Sequence, residues 1–272
     1  MILEVKNLCV SVRTKQGLHP LVRDVTFTLE KNHCLGILGE SGSGKSITCK
    51  AVMGLLDERF HVEGEVWFNG KDILKMSPKE RTLIRGKEIC MIIQNPMTAF
   101  NPLFNMENQL LETLQSHLHV KEKKALLSLI LESFEKMNLS DGEAILKKYP
   151  HQLSGGMLQR IMIALCIALN PSVIIADEPT TAIDVVNQVE VIRELKKVRE
   201  LYHTSMIFIS HDLSILSQIS DAMMVMHQGV IVEKGLAKEI IFSPKEAPTK
   251  ELISTRLKLI EAFRACVKEC VC

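Results

Sequence analysis

The chain has 272 residues, with 33 Lys and Arg against 32 Asp and Glu and a formal net charge of +1. That balance argues against a nucleic-acid or anionic-membrane surface built on basic excess. The longest wholly apolar run, residues 161–169, is far short of the roughly 20 residues a membrane helix needs.

In chain order, the start "MILEVKNLCV" carries an early acid and does not read as a signal peptide, so a cytosolic globular protein is expected. "LEVKNLCVSV" and "VRDVTFTLE" alternate as half-buried strands do, "CLGIL" is a short buried strand, and "GEVWFNG" is a strand bounded by glycines. Between the last two lies "GILGESGSGKS", followed by the apolar-periodic "ITCKAVMGLL". The loop residues Gly39, Glu40, Ser41, Gly42, Ser43 and Gly44 let consecutive backbone N–H groups curl around phosphates, and the next helix adds its positive end. Lys45 is expected to reach the β- and γ-phosphates and the Ser46 hydroxyl to bind Mg²⁺.

Residues 106–148 switch to leucines at three- and four-residue spacing with no strand signal, an all-helical insertion into an α/β domain. "LSGGMLQR" then reads as a second helix start: Ser154 is a natural N-cap, and Gly155 and Gly156 leave its N–H groups exposed to an anion. "SVIIAD" is a buried strand ending in Asp177, placed to hold Mg²⁺ through its shell, with Glu178 next to take a proton from attacking water. A helix over about 185–201, the strand "SMIFIS" and a "MMVMHQGVIVEKG" hairpin complete a mostly parallel sheet. His211 sits at a strand's C-terminal edge, where ligands collect in such sheets, and is expected to touch the γ-phosphate. Beyond residue 242 the chain reads helical, with Pro244 and Pro248 near its start.

The ordered set GESGSGKS, Gln94 in "IIQNP", "LSGGMLQR", "VIIADEP", "TAID" and "ISHD" resembles the ATP-binding subunit of ATP-binding-cassette transporters over nearly the whole chain. The resemblance implies an α/β fold, a P-loop NTPase (RecA-like) core with an antiparallel β subdomain and an inserted α-helical subdomain. Residues 1–242 would form the ATP-binding domain, with the helical subdomain at about 95–160 and a helical, Cys-containing tail over 243–272. It implies an ATPase that binds ATP and Mg²⁺, with Gln94 as the loop glutamine on Mg²⁺ and against a membrane subunit. By the same resemblance, Ser154, Gly155 and Gly156 contact the γ-phosphate of ATP held by the other protomer. Asp184 is the acid linking the two sites, and His211 is the switch histidine. Implied partners are a second ATP-binding subunit (the same or a related chain), two transmembrane permeases, indirectly a substrate-binding protein, and no nucleic acid. The implied location is the cytoplasmic face of the cell membrane.

Two positions depart from the family pattern. Val12 stands where an aromatic usually stacks on adenine, with Phe27 and His19 as substitutes, and Met157 stands where glutamine is commoner in the signature. "IIQNPMTAFNPLFNM", "GGMLQR" and "IFSPKEAPTKELI" resemble the nickel and peptide importer branch, and "LSGGMLQRIMIA" with "IIADEPTTAIDVV" the nickel importers within it. The expected function is a motor for uptake of nickel or a nickel chelate. The alternatives are a di- or oligopeptide importer and a soluble cassette ATPase without membrane subunits. Of the eight cysteines, Cys9, Cys34, Cys49, Cys90 and Cys166 are expected in the core. Cys266, Cys270 and Cys272 form a C-x₃-C-x-C that fits a soft-metal site, a reactive tail or helix packing.

Overall fold

The computed structural model describes residues 1–255 apart from residues 119, 121 and 182. Strands β1 (Leu3–Thr14) and β2 (Gly17–Leu29) form a hairpin in which Leu3 faces Leu29 and Thr14 faces Gly17. β3 (Cys34–Gly39) feeds α1 (Lys45–Val52), and β4 (Phe60–Phe68) and β5 (Lys71–Asp72) return to the hairpin. The result is an antiparallel sheet in the order β2-β1-β4-β5. Ser77 and Glu80 close a capping box on α2 (Pro78–Ile84), ahead of β6 (Ile89–Ile92).

Four helices follow: α3 (Met106–His117), α4 (Lys123–Lys136), α5 (Gly142–Lys147) and α6 (Gly155–Leu169). The chain then alternates through β7 (Val173–Asp177), α7 (Val185–Tyr202), β8 (Ser205–Ile209) and α8 (Leu213–Ile219). It continues through the hairpin β9 (Ala222–His227) and β10 (Val230–Leu236) into the short α9 (Ala237–Phe242). The second sheet has the order β10-β9-β3-β8-β7-β6, parallel throughout except for the terminal hairpin.

Its central strands are apolar runs because both faces are covered. Alternate residues go to opposite cores. Leu38, Ala176, Phe208 and Val225 meet the helices, whereas Ile37, Ile175, Ile207 and Met224 meet α1 and the antiparallel sheet. That arrangement sets the C-terminal ends of β3, β7 and β8 side by side, the usual place for a ligand in an open α/β sheet.

Helix α6 crosses residue 160 without a break and is buried through most of its length, ending where Asn170 turns left-handed at φ 47°. It belongs to the helical segment at its start and to the main core at its end. The segment after α9 is also part of the body. Residues 247–255 are helical, and Leu252 and Ile253 are buried in the same core as Met223 and Val225. Glu233 on β10 accepts from the backbone N–H groups of Lys245 (2.9 Å) and Glu246 (3.1 Å), anchoring that helix's start. Cys34, Cys49, Cys90 and Cys166 are buried free thiols and Cys9 is half-buried; burial pushes Cys34 up to about 12. Cys266, Cys270 and Cys272 lie outside the described residues.

Candidate functional site

The loop between β3 and α1 is shaped by its glycines. Gly39 pairs with Met226 across the β3–β9 ladder, and a Cβ there would strike the Met226 carbonyl and Ser43 Oγ. Gly42 and Gly44 take φ values of 81° and 101°, which side-chain-bearing residues rarely adopt. A Cβ on Gly42 would meet nothing within 4 Å, so the crest of the loop is open. Lys45 is buried, its Nζ donating to the carbonyls of Gly39 (2.9 Å) and Glu40 (2.7 Å). The ammonium is thereby held inside the curl of the loop. Ser43 Oγ is buried with no partner among the described residues, a polar atom facing the same curl.

Ser46, at the start of α1, donates to Asp177 Oδ1 at 2.9 Å. Asp177 ends β7 and is 5% exposed. Burial raises its carboxyl above the ordinary carboxylate range, against the opposing Ser46 hydrogen bond. A hydroxyl and a buried carboxylate in contact form an oxygen-donor pair suited to Mg²⁺.

Glu178 has a left-handed backbone, φ 49°, although it is not glycine. Its N–H donates to Ile209 O at 3.1 Å, which fixes the residue against β8. Glu178 Oε2 accepts from His211 Nδ1 at 2.6 Å and from Thr181 Oγ1 at 3.3 Å. The carboxylate is acceptor-only, so the proton in the shorter bond is assigned to the imidazole. A strained backbone and two side-chain contacts together hold one carboxylate in one pose.

These groups surround a cleft of about 220 Å³ lined by Leu21, Ser41, Gly42, Gly44, Lys45, Ser46, Ile47, Gln94 and Glu178. Gln94, exposed on the loop after β6, is thus brought to the mouth of the phosphate loop. Asp177 and His211 stand behind the wall, each bonded to a lining residue. Ser154, Gly155, Gly156 and Asp184 are not on this wall. Ser154 is an exposed N-cap whose Oγ accepts from Met157 N–H at 3.2 Å, with Gly155 and Gly156 half-buried behind it. Asp184 is exposed just before α7, its carbonyl accepting from Gln188 N–H at 2.9 Å.

Of the three residues considered for stacking on a base, Phe27 is corrected by the fold. It is 4% exposed and packs into the core, because Val25, Phe27 and Leu29 form the inward face of β2. Val12 and His19 face each other across the β1–β2 hairpin, half-buried and exposed respectively. Leu21 and Ile47 were not singled out from the sequence. Leu21 reaches the cleft because β2 passes over the loop, its carbonyl close to Gly44 and Gly229, and no local pattern encodes that approach.

The chain matches the ABC transporter family over residues 22–181. It is 43% identical over 264 residues to the metal-staphylopine import system ATP-binding protein of Staphylococcus aureus, covering 97% of this chain and 96% of that protein. It is 41% identical over 256 residues to the oligopeptide transport ATP-binding protein of Bacillus subtilis, covering 93% and 71% respectively. In fold it is similar to the dimeric post-hydrolysis structure of the ATP-binding cassette MJ0796 bound to ADP and Pi. That match has a TM-score of 0.79 and 23% identity, covering 87% of this chain and 99% of that one.

Proposed function

The chain belongs to the ABC transporter family as an importer ATPase, and from that premise we propose how its residues divide the work and what it helps to import. One observation carries the proposal. Two phosphate-suited helix starts are built into the chain, and only that of α1 opens into the cleft with Lys45, Ser46, Gln94 and Glu178. The start of α6 faces outward with its cap exposed. A site needing both is completed when the Ser154 helix of a second ATP-binding subunit, identical or related, is laid over this cleft head to tail.

ATP enters with its phosphates in the Gly39–Gly44 curl, where Lys45 exchanges loop carbonyls for phosphate oxygens. Ser46, Gln94 and Asp177 are the residues that would hold Mg²⁺, which when bound would supply charge neutralisation at the phosphate oxygens. Glu178 takes a proton from the attacking water, a role for which His211 and Thr181 already fix its carboxylate. His211 then orients Glu178 from one side and meets the γ-phosphate from the other. Asp184, beside the start of α7, lies on the face that the second subunit covers.

The loop after Gln94 fits a membrane partner. Met97, Leu103 and Phe104, three to ten residues after the cleft-lining Gln94, are large apolar side chains that are half or more exposed. Paired with two permeases at the cytoplasmic face of the membrane, this loop passes the closure of the nucleotide site to the transport path. Among the described residues no helix is long and apolar enough to cross a membrane.

The cargo reading is a metal chelate, nickel included. Support comes from the 43% identity to the metal-staphylopine importer subunit; the oligopeptide relative at 41% supports a peptide as the second reading. The test is the ATPase rate of the assembled complex, with its binding protein, against a panel of nickel chelates and peptides. Stimulation by chelates alone is expected; stimulation by peptides alone would overturn the cargo reading.

A further inference from the structure

Gln159 is an amide set in an apolar helix. It is 0% exposed, between the buried Leu158 and Ile161 on α6. Its Nε2 donates to the carbonyl of Ile93 at 3.3 Å, and its Oε1 is buried with no partner among the described residues. A leucine would fill the same space without burying a half-paired amide, which is unfavourable. Ile93 is the residue before Gln94. One hydrogen bond thus joins the helix that carries Ser154 to the loop that carries the cleft-lining glutamine.

Arg160 makes the complementary tie. Its guanidinium donates to the carbonyls of Met137 (3.4 Å) and Asn138 (3.2 Å) at the C-terminus of α4, and its Nε is likewise buried without a partner. Asn138 in turn donates to Glu190 on α7 at 3.0 Å. Adjacent residues therefore fasten α6 on one side to the Gln94 loop and on the other to the helical segment. Ser154 lies five residues before Gln159, about 7.5 Å along a helix that moves as a unit.

We propose that Gln159 is a positioning residue that makes the pose of Ser154 follow the pose of Gln94. When Gln94 is drawn toward a bound nucleotide, the Ile93 carbonyl moves with it and takes the start of α6 along. The signature serine is then presented to the second subunit only when the chain's own cleft is filled. This rests on the shared-site reading given above.

The test uses the Glu178→Gln background, in which ATP is bound and not turned over. Gln159→Leu and Gln159→Met remove the donor and keep the volume. Both are expected to leave the isolated chain's affinity for a fluorescent ATP analogue within about twofold. ATP-dependent dimerisation, measured by sedimentation with the paired subunit present, should weaken at least tenfold. Gln159→Glu, whose carboxyl takes up a proton when buried and donates to Ile93, should recover most of it. Dimerisation equal to that of Glu178→Gln alone in the Leu and Met variants overturns the inference. Loss of nucleotide affinity together with dimerisation in both also overturns it, making Gln159 a folding residue only. Absence of a dimer in Glu178→Gln itself overturns instead the shared-site reading.

Discussion

Substitution of Ser154 separates its role as a helix cap from the nucleotide contact proposed for it. As a helix cap it accepts one hydrogen bond, from Met157 N–H at 3.2 Å. Alanine removes that bond at a cost of about 1 kcal/mol, roughly 2–4 °C in Tm for a chain of this size. Aspartate caps as well as serine, and its charge suits the positive end of α6, so Ser154→Asp should melt at or above the parent temperature. Its effect on turnover should be the reverse. A carboxylate about 4 Å from a phosphate charge, at an effective dielectric near 20, is repelled by about 4 kcal/mol, a loss of roughly a thousandfold. Thermal melts and the steady-state ATPase rate of the assembled complex measure the two effects independently. A stable Ser154→Asp chain with parental turnover would show that this helix start does not meet a nucleotide.

Other positions give equally specific outcomes. Gly39→Ala drives a Cβ into the Met226 carbonyl and Ser43 Oγ, so it should lose about 1–3 kcal/mol of stability and its nucleotide binding, read by fluorescence titration. For Asp177 the folded pKa is raised by burial. The folded chain therefore holds the proton more tightly than the unfolded one, and this carboxyl costs stability increasingly as pH rises through the carboxylate range. Asp177→Asn should accordingly stabilise the Mg²⁺-free chain at neutral pH, read as a rise in Tm. The gain should vanish in acid, where both states are protonated, while Mg²⁺-dependent turnover is lost. Leu103→Ser combined with Phe104→Ser changes exposed side chains and should shift stability by no more than about 0.5 kcal/mol, yet abolish co-purification with membrane subunits.

The phosphate loop and the Asp177–Glu178 pair were legible because their chemistry is local. A strand, a glycine turn and a helix start announce themselves in eleven consecutive residues, "GILGESGSGKS". The helical insertion was legible for the same reason, its leucine spacing being a property of one segment. Contacts across the sheet were not. The 2.6 Å bond from His211 to Glu178 spans 33 residues and depends on β7 and β8 lying side by side in parallel. Gln159 is buried and donates to Ile93, 66 residues earlier in the chain, a contact that no local pattern encodes. Phe27 shows the opposite error: an aromatic in an alternating strand was a candidate for stacking until the strand's inward face was fixed by its neighbours. Val12, half-buried, faces the exposed His19 across the hairpin, and sequence pattern alone does not choose between them as the partner of a base.

The head-to-tail shared site is tested most directly by sedimentation of the Glu178→Gln chain with Mg²⁺ and ATP, alone and with its paired ATP-binding subunit. The predicted result is a dimer that forms only with ATP, retains two nucleotides, and disperses when Ser154→Asp is added. A chain that saturates with ATP and remains monomeric in both settings, or that hydrolyses ATP at the parental rate as a monomer, would contradict it.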